Sequence, residues 1–126
     1  MRVNKGFRRG DIWIVNFDPT SGHEQRGQRP AVIVSSDMMN TEVIELAFVM
    51  PGTTKARLDS SGRPVPNHVR VDPGPDNNLT AVTFFMAEQL RSVSTGRFTS
   101  RIGKLSEGQL FELEEIVIML LDLGPK

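Results

Sequence analysis

The feature that most constrains this chain is how often turn chemistry interrupts it. Before residue 105, short apolar segments are ended again and again by glycine, proline, asparagine and aspartate. Ile12-Trp13-Ile14-Val15-Asn16-Phe17 is rich in β-branched and aromatic residues and stops at Asp18-Pro19-Thr20-Ser21-Gly22. Ala31-Val32-Ile33-Val34-Ser35 is a second strand, too short for a helix. A turn follows over residues 37–40. A third strand is expected from about Glu42 to Val49, where Pro51-Gly52 breaks it. Residues 55–66 read as a loop. Asn67-His68-Val69-Arg70-Val71-Asp72 alternates as a half-exposed strand does, and Ala81-Val82-Thr83-Phe84-Phe85-Met86 reads as a buried one. Residues 86–90 suit a short helical turn, and between Arg91 and Lys104 the pattern assigns no element.

Only the C-terminal stretch has helical periodicity. Ser106 with Gln109 three residues on is a capping box, and Leu105 with Leu110 a hydrophobic staple. Leu110, Leu113, Val117, Leu120 and Leu121 form one apolar stripe, and Gly124-Pro125 supplies the stop. Residues 116–121 are apolar nearly all the way round, so that end must enter the core or face another subunit. The expected fold is mainly β with a C-terminal α-helix (α+β), a small barrel or strongly bent sheet. The 126 residues make one domain, 1–126.

With no cysteine, disulfide frameworks and thiolate metal sites are excluded. No signal peptide is visible and no apolar run approaches a membrane span, so a cytoplasmic protein without a membrane partner is expected. The formal net charge is zero but unevenly spread. Residues 1–104 carry 14 Lys/Arg against 10 Asp/Glu, and residues 105–126 carry 1 against 5. A mildly basic body thus precedes an acidic segment.

The densest polar cluster is Gly22-His23-Glu24-Gln25-Arg26-Gly27-Gln28-Arg29-Pro30. Its glycines permit close backbone approach to a ligand, and an arginine fork suits phosphate. By composition alone a solvated surface loop is the favoured reading. Trp13, Phe84 and Phe85 read as core. Arg8, Arg9, Arg57, Arg63 and Arg70 are phosphate-attracting or merely solvated charges.

Three blocks make the chain recognisable. Arg9-Gly10-Asp11-Ile12-Trp13, Gly22-His23-Glu24-Gln25 and Arg29-Pro30-Ala31-Val32-Ile33-Val34-Ser35-Ser36-Asp37 closely resemble the opening of the MazF/PemK toxins, the endoribonuclease halves of toxin–antitoxin modules. Pro51-Gly52-Thr53-Thr54, His68-Val69-Arg70-Val71 and Ala87-Glu88-Gln89-Leu90-Arg91-Ser92-Val93 follow in the family's order. The resemblance implies a compact SH3-like, CcdB/PemK-type barrel. It implies metal-free, sequence-specific cleavage of single-stranded RNA, chiefly mRNA, leaving a 2′,3′-cyclic phosphate and a 5′-hydroxyl. Such an mRNA interferase stops growth. It acts as a homodimer and is held in check by a cognate MazE-like antitoxin with an acidic, flexible tail.

By the same resemblance the catalytic arginine matches Arg29 and the catalytic threonine Thr53, with Thr54 the adjacent contender. A guanidinium is a poor general base, so Arg29 suits phosphorane charge. Glu24 is a proton acceptor by chemistry, or a loop carboxylate pairing Arg26 or Arg29. His23 assists or is a turn residue, and His68 is structural or RNA-facing. Gln25, Arg26, Gln28 and Gln89 are the expected RNA-binding residues. Neither histidine has metal-ligand company, so no metal or cofactor is expected. Arg26 stands where relatives commonly have glycine, Gly52 where many have a bulky residue, and residues 55–66 are longer than in the shortest members. Two rivals remain: a gyrase-poisoning toxin of the same fold, against which the absence of an aromatic C-terminus argues, and a non-catalytic nucleic-acid or partner-binding member.

Overall fold

The computed structural model describes residues 6–18, 27–41 and 43–125. His23, Glu24, Gln25 and Arg26 lie outside the described residues. Seven strands are found among them: β1 (Asp11–Asn16), β2 (Gln28–Ile33), β3 (Leu46–Thr53), β4 (His68–Val71), β5 (Thr83–Met86), β6 (Arg91–Ser94) and β7 (Phe98–Lys104), followed by helix α1 (Glu107–Leu121). All pairings are antiparallel, in the order β4-β5-β3-β2-β1-β7. β6 pairs with the first half of β3, and β5 with its end. The mainly β fold with one C-terminal helix is as expected. The sheet stays open, with β4 and β7 at its ends.

The central strands are buried on both faces, which is why residues 31–34 read as an unbroken apolar run. Val32 and Met50 join Ile12, Val69, Val71 and Phe85 in one cluster, which Leu105 and Leu113 of the helical end complete. Ala31, Ile33, Ala47 and Val49 join Phe7, Val15, Phe17 and Val93 in the other. Trp13 and Phe98 pack at the edge of the second cluster, their rings 5.7 Å apart. Phe85 is fully buried as expected, whereas its neighbour Phe84 points to the other face and is half-buried.

Two strand boundaries differ from expectation, and both differences serve the site. β2 starts at Gln28, so Arg29 is a strand residue paired with Val15. β3 starts at Leu46, after a turn in which Glu45 takes a φ of 58°. It then runs through Pro51-Gly52 to Thr53 instead of breaking there. Gly52 permits this because β5 pairs closely alongside it, with Phe85 as its cross-strand partner. A Cβ at residue 52 would sit 2.6 Å from Thr83 Cγ2 and 3.0 Å from Phe85 Cε1.

The Ser106 cap is present in full. Its Oγ accepts from the Gln109 N–H at 3.1 Å, and its own N–H donates to Gln109 Oε1 at 2.8 Å. The helix ends earlier than Gly124-Pro125 predicts: Asp122 takes the left-handed conformation, φ 55°. Leu113 is buried, and Leu110 and Val117 pack against the core, but Leu120 and Leu121 are exposed. Among the described residues no helix is long and apolar enough to cross a membrane. α1 packs against β4 and against a 3₁₀ turn at Ala87–Gln89.

Candidate nucleic-acid cleavage site

Six of the residues singled out by sequence, Arg29, Thr53, Thr54, Arg57, His68 and Gln89, meet at one cavity of about 360 Å³, which Lys55, Met86 and Glu88 line with them. Arg29 comes from the start of β2 and Thr53 from the end of β3. These strands pair only from Ala31↔Pro51 to Ile33↔Val49. The two residues therefore lie just beyond the point where the strands part. Gln89 arrives on the 3₁₀ turn that α1 supports from behind. Gln28 is exposed on β2 and is not among the lining residues.

Thr53 is nearly buried, and its Oγ1 accepts a hydrogen bond from the Lys55 N–H at 3.2 Å. With that lone pair engaged, the hydroxyl keeps its proton to donate elsewhere. Thr54 is exposed. Arg29, Lys55 and Arg57 bring three cationic side chains to one cavity, a suitable lining for a phosphodiester.

Sequence reasoning did not single out Glu88 or Lys55, and it left His68 between a structural and an RNA-facing role. The β4–β5 ladder pairs His68 with Met86, which brings the imidazole under Glu88. His68 Nε2 lies 2.9 Å from Glu88 Oε2, and Asn67 Nδ2 donates to Glu88 Oε1 at 2.6 Å. A carboxylate partner places a proton on Nε2. The imidazole side chain is only 2% exposed, and its Nδ1 has no hydrogen-bond partner among the described residues. Glu88, 28% exposed, is the member of this pair that solvent reaches. The signal available in the sequence was the polar flanks Asn67-His68 and Glu88-Gln89, but nothing in it declared that they are adjacent.

The loop that carries Lys55 and Arg57 is tied at its tip. Leu58 and Pro64 form an isolated bridge, and Asp59 Oδ1 accepts from the Ser61 hydroxyl at 2.7 Å and from the Ser61 and Arg63 N–H groups. At the neck of the β1–β2 connection, Gly27 takes a φ of 75°. Its N–H donates to Asp18 Oδ1, and its carbonyl accepts from the Phe17 N–H. Among the described residues no three His, Cys, Asp or Glu side chains gather as metal ligands would.

Residues 8–121 match the model of the PemK-like, MazF-like toxins of type II toxin–antitoxin systems. The chain is 35% identical over 120 residues to the endoribonuclease MazF9 of Mycobacterium tuberculosis, covering 92% of this chain and 97% of that protein. It is 28% identical to the endoribonuclease MazF of Staphylococcus epidermidis, over 93% of this chain and 92% of that one. Among solved structures, MazF of Deinococcus radiodurans superposes with a TM-score of 0.75 at 26% identity, over 94% of this chain and 99% of that one. A MazE-MazF structure from the same organism matches with a TM-score of 0.72 at 25% identity, over 96% of this chain and all of that one.

Proposed function

The chain belongs to the PemK-like, MazF-like toxins of type II toxin–antitoxin systems, and from that premise we propose that it is a metal-independent, sequence-specific endoribonuclease acting on single-stranded RNA, chiefly mRNA, in the cytoplasm. The observation that carries this reading is the meeting of Arg29 and Thr53, 24 positions apart in the sequence, at one cavity that holds two further cations.

The proposed reaction is transesterification. The ribose 2′-oxygen bonds to the adjacent phosphorus as the bond from phosphorus to the 5′-oxygen breaks. One proton leaves the 2′-hydroxyl and one is delivered to the departing oxygen, giving a 2′,3′-cyclic phosphate and a 5′-hydroxyl. Arg29 stabilises the charge that builds on the phosphorane and donates toward the leaving oxygen. Thr53 donates to a non-bridging oxygen, and its bond from the Lys55 N–H favours it over Thr54 for this role. Lys55 and Arg57 hold neighbouring phosphates, and Gln89 contacts the RNA. Glu88, held by His68 and Asn67, and Glu24 of the polar cluster are the two candidate proton acceptors. A comparison of Glu88→Gln with Glu24→Gln in the pH–rate profile assigns the base, since only loss of the true acceptor removes the acidic limb.

Two partners belong to the same proposal. A second copy of the chain would cover the apolar end of α1, where Ile118, Met119, Leu120 and Leu121 are exposed beside a cavity of about 340 Å³ lined in part by Val34, Phe48 and Leu90. A small antitoxin like that in the MazE-MazF structure would lay an acidic, flexible tail among Arg29, Lys55 and Arg57 and so exclude RNA.

The decisive experiment is cleavage of a long mixed RNA in excess chelator by the parent protein and by Arg29→Ala. The parent is expected to cut, and the variant to cut at least about a hundredfold more slowly, the scale of losing one charge-stabilising donor. Cleavage that requires a divalent metal overturns the mechanism. Absence of cleavage together with gyrase arrest selects the gyrase-poisoning rival.

A further inference from the structure

A second cavity adjoins the first and differs from it in chemistry. It has a volume of about 330 Å³, and its walls include Ile14, Pro30, Leu79 and Ile102. Thr54 lines both cavities, and the neighbours Arg29 and Pro30 on β2 line one each. Both therefore open where β2 and β3 part. The first brings together three cations, whereas among the described residues no charged side chain lines the second.

Its polar groups are few and fixed. Asn78 Nδ2 donates to the Ile102 carbonyl, which directs Oδ1 as an acceptor. The Thr83 hydroxyl donates to the Ala81 carbonyl at 3.1 Å. Thr54 and Thr80 add hydroxyls that both donate and accept. Aliphatic walls with a few convergent hydrogen-bonding groups suit a flat, uncharged heteroaromatic ring, and the volume reaches the roughly 300 Å³ at which small-ligand pockets begin.

Phosphate contacts position a nucleic acid and base contacts specify it, so a sequence-specific nuclease needs base contacts in addition to its phosphate contacts. We infer that this second cavity receives one nucleobase of the RNA, that of a nucleotide flanking the phosphate held at Arg29, and thereby helps to select the linkage that is cut. The inference rests on the endoribonuclease reading above. The base enters between Pro30 and Leu79, with its edge toward Asn78 and Thr80.

The test begins by sequencing the 5′-hydroxyl ends that the parent protein makes, which supplies a preferred oligonucleotide. Each nucleotide of it is then replaced in turn by an abasic ribose. One position next to the cut is expected to raise KM about tenfold or more, the scale of one bound base. Ala81→Trp fills the cavity from an exposed position. It is expected to raise KM equally on the intact oligonucleotide, to show no further loss on the abasic one, and to lose base preference at that position alone. Thr80→Phe blocks the same space from a different residue and keeps the test decisive should the first variant fail to fold. Filled variants that cut with the parent's KM and base preference overturn the inference, as do losses that add independently to the abasic loss. A parent that cuts no RNA overturns the functional reading itself, and this inference with it.

Discussion

Gly52 has no side chain, yet it sets where Thr53 can go. The strand runs so close to the Thr83 and Phe85 side chains of the paired strand β5 that even a methyl group collides with both. Gly52→Ala is expected to destabilise the protein by about 1–3 kcal/mol in urea denaturation, as overpacking does elsewhere, and to slow RNA cleavage by displacing Thr53. A variant of parental stability would mean that β5 yields freely. At the tip of the neighbouring loop, the Ser61 hydroxyl does most to hold the Asp59 carboxyl below its ordinary pKa of 3.8, with the Arg63 and Ser61 N–H groups adding to it against slight desolvation. A depressed folded pKa stabilises the tied loop above the unfolded value, and that contribution disappears as pH falls through the folded one. The Ser61 and Arg63 amide resonances should therefore shift together in acid with a midpoint below 3.8, and Asp59→Asn should abolish the transition. A midpoint at or above that value rejects the arrangement. At this scale Arg29, Thr53 and Gln89 were readable from their motifs. The pairing of His68 with Glu88 was not, because 20 residues separate them and only the β4–β5 ladder joins them.

Among the elements, α1 was the most legible because its signals are local. The reciprocal Ser106–Gln109 bonds satisfy two N–H groups that the helix itself cannot. Ser106→Ala should cost about 1 kcal/mol, measured by chemical denaturation, and should loosen the support that α1 gives to the turn carrying Glu88 and Gln89. A loss near zero would show that packing of Leu113 holds the helix start unaided. β6 and β7 were not legible. β6 buries only Val93 and β7 only Gly103, so neither displays the apolar alternation that reveals a strand. Each is recruited by a neighbour, β6 by β3 and β7 by β1. The continuation of β3 through Pro51-Gly52 was likewise hidden, since proline and glycine ordinarily signal a break and here Gly52 serves a close pairing with β5.

For the whole molecule, the apolar end of α1 was expected to enter the core or meet another subunit, and within one chain it remains outside, with Leu121 53% and Met119 59% exposed. If a second copy covers it, Ile118→Asp combined with Leu121→Asp should convert a dimer into a monomer in sedimentation while leaving the folded chain intact, because both side chains are exposed. A parent that sediments as a monomer removes the dimer from the proposal.

The sequence by itself determined the local geometry: a mainly β chain and a capped C-terminal helix, which follow from short-range periodicity, turn residues and capping that act within a few positions. Its motifs also carried the family resemblance and, through it, the candidate pair Arg29 and Thr53. Tertiary structure alone decided that β2 and β3 part just before Arg29 and Thr53. It also decided that a charged cavity and an uncharged one open at that parting, and that Glu88 is held over His68. Those outcomes depend on which strand pairs with which and in what register, a choice made by burying both faces of the central strands at once and encoded at no single position along the chain.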